Sequence, residues 1–249
     1  MSLHSSPPGE TDRQRARLIL QTVLMSQLST EKQQWLSDQL ALVAIEKSNR
    51  SVDLAFGLCP RRLGKKPLLF TTIEKNDLNQ CMPGWDLDGV SMDAVARMLV
   101  LTCFSDTRQL AEQLTRLLRH ADLHEQLALY KGLPLYAASA TVNDRLADGL
   151  RSNISEVFEA IAHNNPYAGW HLDTHRFNHM VLKALFIEST LAPIVHLEER
   201  NNLDLVRMLL DFARERRAAL RSVPEELWSL TVPLMTHDER LEFNQEQAA

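Results

Sequence analysis

The chain has 249 residues, 45% hydrophobic and 24% charged, with a formal net charge of −5. These values describe an ordinary globular protein with room for one large domain or two small ones. The acidic balance excludes a global basic field for nucleic acid or acidic lipid, although local basic patches remain compatible with it. Only eight glycines occur, and β-branched residues are sparse beside Leu and Ala, a balance that favours helix over sheet.

Cys59, Cys81 and Cys103 are odd in number and far apart. None forms a CxxC or CxxH pair, so zinc-finger and redox motifs are not expected, and a reducing cytosol is the simple reading. The N-terminus lacks a basic region followed by an apolar run, so no signal peptide is read there. Apolar runs such as Ala94 to Phe104 are too short to span a bilayer.

Residues 1–10 carry Ser5-Ser6-Pro7-Pro8-Gly9 and are expected to be disordered, as is the tail 244–249. Leu18, Ile19, Val23, Leu24 and Leu28 recur at helical spacing. Ser29-Thr30 starts a second helix, with Trp35, Leu36, Leu40 and Val43 on one side. Residues 51–90 do not resolve into a clear pattern. Asp53 to Leu58 predicts a short helix stopped by Cys59-Pro60, because the residue before Pro avoids helical geometry. Leu68-Leu69-Phe70 reads as a short strand or buried linker, Ile73 to Met82 as a weak helix, and Pro83-Gly84-Trp85-Asp86 as a turn.

From Ser91 the pattern clears. Ser91 opens a helix with Val95, Met98 and Leu99, and Ser105-Asp106 caps the next. Asp122-Leu123-His124-Glu125 is a capping box, for a helix ending at Gly132. Thr141 to Asp144 predicts the start of the longest helix, running through Leu146, Leu150, Ile154 and Phe158 to Ile161 and ending at Asn164-Asn165-Pro166. Asp173 or Thr174 caps a helix through Ile187. Asn202 caps a last long helix with an outer side rich in Arg, and 224–243 suggest one or two short helices. The expected fold is all-α: one multi-helix domain over 11–243, of roughly nine to eleven helices, with a hint of solenoid-like stacked hairpins.

Several groups could carry chemistry. His175 and His179 share a helix face at a spacing that can hold a metal ion, but the Glu of an HExxH motif is absent. Solvated histidines are the simpler reading, and neither a metal nor another cofactor is expected. Arg61, Arg62 and Lys65 around Gly64 could bind an anion, or could be a solvated basic loop. The segment is not a Walker loop. His163, Asn164, Asn165 and Tyr167 end a helix. They serve either as caps or as the polar rim of a pocket. Lys183 sits in an apolar run, either snorkelling or half-buried with a lowered pKa. There is no GxSxG, Cys–His or DDxxD pattern, so the residues lean away from catalysis.

Two sets of residues resemble the EboA-domain family. One comprises Ala55 to Lys65 and Pro83-Gly84-Trp85-Asp86. The other comprises Asn165-Pro166-Tyr167, Phe177 to Ile187, Leu191-Ala192-Pro193-Ile194, Arg200-Asn201 and Arg207 to Ala213. The similarity runs from about 15 to 230. Gln usually stands in that family where His179 does, and small residues where Glu188 and His196 do. The resemblance leaves Arg61, Arg62, Lys65, Asn165, Tyr167, Asn178 and Lys183 as the better candidates for a shared site, with His163 beside them. It implies a component of ebo clusters, which are associated with making or exporting a small metabolite. The implied partners are other ebo cluster proteins, among them a UbiA-type membrane prenyltransferase, and a small-molecule intermediate. The implied location is the cytoplasm, or the inner-membrane periphery through a partner. The expected role is non-catalytic binding of a partner protein or of an anionic or prenyl intermediate. One alternative is an enzyme acting on a cyclitol-phosphate or prenyl-type intermediate, with an Arg/Lys clamp and Lys183 or His163 as base. Another is a pure interaction scaffold.

Overall fold

A computed structural model describes residues 6–236 and Arg240. It is all-α, with thirteen α-helices, two short 3-10 turns and no strand among the described residues. The extra helices beyond the nine to eleven expected are short ones. By backbone contacts the chain divides into two compact units, 6–171 and 172 onward.

The first unit is built around α5, Met92–Leu101. Every residue of this helix except Ala94 is buried, and a helix apolar all round belongs in a core. It packs against α1 (Glu10–Ser26), α2 (Thr30–Glu46), α3 (Asn49–Leu63), α6 (Thr107–Leu118) and α7 (Leu123–Lys131). Two charged residues lie within its buried surface. Arg97 pairs with Asp93 at 3.2 Å and with Glu125 at 3.2 Å. Its Nε donates to the Phe56 carbonyl at 3.2 Å, and its guanidinium lies over the Phe56 ring. The Ser91 hydroxyl donates to the other Asp93 oxygen at 2.6 Å.

That network explains one correction. The helix expected to stop at Cys59-Pro60 continues to Leu63, with Pro60 inside it. A proline in a helix leaves the carbonyl four residues earlier without its N–H donor. Here that carbonyl belongs to Phe56, and Arg97 supplies the missing donor. The chain leaves α3 through Gly64, whose φ of 89° suits glycine.

Leu68 to Phe70 is linker rather than strand. Pro67 and Ser91 form an isolated bridge, and the Leu68 N–H donates to the Val90 carbonyl at 2.8 Å. α4 (Thr72–Cys81) follows, opened by a Thr71–Glu74 capping box that the sequence reading did not single out. The Asp122–Glu125 box at α7 is present as expected.

The long helix expected from Thr141 to Ile161 is two helices, α8 (Ala140–Leu150) and α9 (Ser155–Ala162), and Ser139 is the cap. The Ser152 hydroxyl accepts the Ile154 N–H at 3.1 Å, offering the backbone an alternative to the helical bond. The break lets α9 fold back on α8 and pack on α7. α10 (Tyr167–His171), unexpected from the sequence, closes this unit.

The second unit holds α11 (Thr174–Phe186), α12 (Leu203–Ala218) and α13 (Glu226–Thr231). Asp173 and Asn202 cap the first two by accepting the N–H groups of Arg176 and Leu205. Val206, Leu210 and Met235 form a small core with Trp228 packed against it. The expected helix over 224–243 is seen as α13 and a 3-10 turn, Val232–Leu234. Residues 237–239 and 241–243 of that stretch lie outside the described residues, as do the tail 244–249 and residues 1–5.

Candidate functional site

Two turns meet in the first unit. One is Pro83-Gly84-Trp85-Asp86, after α4. The other is His163-Asn164-Asn165-Pro166, after α9, where Asn164 adopts a left-handed φ of 52°. The Asp86 N–H donates to the Asn164 carbonyl at 3.0 Å. The indole N–H of Trp85 donates to the Lys131 carbonyl at 3.0 Å, at the end of α7. Asn165 locks the arrangement. Its amide nitrogen donates to the carbonyls of Tyr130 and Ala160, each at 3.0 Å, and its oxygen accepts the Tyr167 N–H at 3.1 Å. One buried side chain thereby caps α7 and α9 and positions the start of α10.

Two cavities are lined by these turns, and a third adjoins the first. The first, of about 340 Å³, is lined by Trp85, Asp86, Asp88, Lys131, Glu156, Glu159, His163, Asn164 and Asn165 among others. The second, of about 330 Å³, shares Trp85, Asp86 and Asn164 with it and adds Phe70 and Asn76. The third, of about 270 Å³, shares Leu127 and Lys131 with the first and adds Lys65, Ser91, Asp93 and His124. Volumes of this order suit small metabolites.

The two cavities that share Lys131 differ in charge. The first carries four carboxylates against one lysine. The third carries Lys65, Lys131 and His124, and its one carboxylate, Asp93, is held by Ser91 and Arg97. Lys131 is half-buried. Burial pulls its pKa below the usual lysine value, while the charges of Asp86 and Glu159 act in the opposite direction. A lysine so placed supplies a compact cationic donor.

The expected site residues distribute as follows. His163 and Asn165 line the first cavity, and Lys65 lines the third. Arg61 and Arg62 are exposed in the last turn of α3 and line none of these three cavities. The Tyr167 hydroxyl donates to Asn143 at 3.0 Å on α8, and burial raises its pKa. Asn178 and Lys183 belong to the second unit. Asn178 exchanges amide hydrogen bonds with Asn202 at 3.1 and 3.0 Å. Lys183 is half-buried on α11, and burial lowers its pKa. His175 and His179 are exposed, with ring nitrogens 3.1 Å apart. No group of three metal-ligating side chains forms among the described residues.

Lys131 and Glu156 were not singled out in the sequence. Lys131 is the last residue of α7, where a cation ordinarily serves the helix dipole. No local signal separates it from any such lysine. Trp85 and Asp86 were visible as turn residues and as part of the family resemblance, without any sign that they line a cavity.

The fold and these clefts define an all-α protein with polar, ligand-sized cavities, in which no helix among the described residues is long and apolar enough to cross a membrane. A family model described as Metabolite traffic protein EboA matches residues 16–232, and the chain belongs to that family. Comparison with curated proteins and with solved structures finds no match.

Proposed function

We propose that the chain is a non-catalytic binding protein for a small, hydroxyl-bearing anionic metabolite, held where the two turns meet. The observation that carries this reading is Lys131, shared by a carboxylate-lined cavity and a lysine-lined one. Lys65 and Lys131 would bind the anionic group by charge-assisted hydrogen bonds. Asp86, Glu156, Glu159 and Asn164 would accept hydrogen bonds from hydroxyl groups. The polar lining favours such a ligand over a prenyl chain, which would leave these groups unpaired. Membership of a metabolite traffic family supports a role in metabolite handling. Delivery to other ebo cluster proteins, including a membrane prenyltransferase, belongs to the same proposal.

Native mass spectrometry of protein purified at low salt tests it. The expected result is a co-purifying small anion, lost from Lys65→Met and Lys131→Met but retained by Lys183→Met. A preparation that never carries or takes up a small anion would overturn the reading.

A second reading rests on the lowered pKa of Lys131. An amine that loses its proton more readily than usual can act as a general base. In that case a bound metabolite would be turned over, and Lys131→Met would abolish turnover while Lys65→Met chiefly weakened binding.

A further inference from the structure

The strongest unassigned feature is the surface between α3 and α4. From Leu54 to Ile73 the chain holds no carboxylate, in a protein with 32 acidic residues. The same stretch carries Arg61, Arg62, Lys65 and Lys66, all exposed. None of the four has an ion pair among the described residues. Two large apolar side chains stand in the same stretch. Leu69 is 71% exposed and Ile73 is 73% exposed, whereas Leu63 and Leu68 beside them are buried.

The backbone that presents these side chains is pinned. The Lys66 carbonyl accepts the Met92 N–H at 2.9 Å, and the Leu68 N–H donates to Val90 at 2.8 Å. The Gln27 side chain clips Leu69 on both backbone groups, accepting its N–H at 3.1 Å and donating to its carbonyl at 2.7 Å. The Thr71 capping box then fixes the start of α4, and with it Ile73. Lys32 donates to the Leu63 carbonyl at 3.1 Å, bringing a fifth cation to the end of α3. Leu69 is therefore held outward by specific bonds.

Cations without ion-pair partners, in the same stretch as exposed apolar side chains on a pinned backbone, have the two features that anchor a protein at an anionic bilayer surface: electrostatic attraction and shallow apolar insertion. We infer that the Arg61–Ile73 surface docks the protein on an anionic phospholipid membrane, with Leu69 and Ile73 entering the headgroup boundary. Lys65 also lines the third cavity, so the docking surface begins beside that cleft. The inference does not depend on what the cleft binds.

Vesicle flotation tests it on the full chain. One set of vesicles is pure phosphatidylcholine, and the other is an equal mixture of phosphatidylcholine and phosphatidylglycerol. The protein is expected to float with the mixed vesicles and stay behind with the neutral ones, and flotation should fall as salt screens the charges. The double substitution Arg61→Gln, Arg62→Gln should weaken partition about thirtyfold, the effect of two cations lost at such a surface. Leu69→Ser with Ile73→Ser should weaken it independently. Every position changed is exposed, and unchanged thermal unfolding would show that the variants are folded. Equal behaviour with both vesicle sets, no flotation with either, or charge variants that float like the parent would overturn the inference. Retention on heparin without flotation would likewise overturn it, in favour of a soluble polyanion.

Discussion

At the scale of single residues, the side chains with the most specific partners are inside the protein. Arg97 satisfies two carboxylates and the carbonyl that Pro60 leaves without a donor. Removing one partner of a buried pair leaves the other charge uncompensated. Arg97→Met is therefore expected to cost about 3–5 kcal/mol in urea unfolding, with part recovered in the double variant Asp93→Asn, Arg97→Met. Asn165 was legible as a helix-ending residue. That its amide serves two helices at once was not, because Tyr130 lies 35 positions away. The thiol of Cys59 gives a pH prediction. Burial pushes its pKa from 9.0 up to about 12. Between those values the unfolded chain releases the proton and the native protein keeps it, so native stability falls as pH rises. Below pH 9.0 the contribution is fully present. Cys59→Ala should flatten the fall measured across this window, by up to ~1.4 kcal/mol per pH unit.

At the scale of elements, α8 and α9 show what pattern alone misses. A single apolar stripe runs through both, and the stripe predicts one helix. The break falls at residues 151–154, where the Ser152 hydroxyl takes the Ile154 N–H, and Gly149 just before it lies against side chains of α7 and α9. A Cβ added there would lie 2.4 Å from the Ile161 terminal methyl and 2.6 Å from the Tyr130 ring. On an exposed helix Gly→Ala stabilises by about 1 kcal/mol. Here Gly149→Ala is expected to destabilise by about 1–3 kcal/mol through overpacking, visible as a lower midpoint in denaturant unfolding. Caps at Asp106, Asp122, Asp173 and Asn202 were readable because each is local, a side chain accepting the N–H three residues on. The course of α3 through Pro60 was not, because the compensating donor comes from another helix. The candidate cavity was half readable for the same reason. The two turns carry recognisable local chemistry, whereas Lys131, Glu156 and Glu159 acquire meaning only from the packing of α7 against α9.

At the scale of the whole molecule, the family match spans both compact units, while the three cavities are lined by residues of the first alone. Ligand binding is linked to the stability of the native state. A metabolite present at about a hundred times its dissociation constant should stabilise the protein by about 2.7 kcal/mol. A rise in melting temperature is expected in the parent and in Lys183→Met, and none in Lys131→Met. Differential scanning fluorimetry against a panel of small hydroxylated anions would read this directly.

The turn that shapes the first two cavities also contains a chromophore. Trp85 is buried, and its indole is tied to the backbone of Lys131, the residue that lines both the acidic cleft and the basic one. A molecule seated in either adjoining cleft would change the local electric field around that ring. Its emission should shift or quench on binding, and the change should vanish in Trp85→Phe. The occupancy of the cleft can therefore be followed optically, without a label.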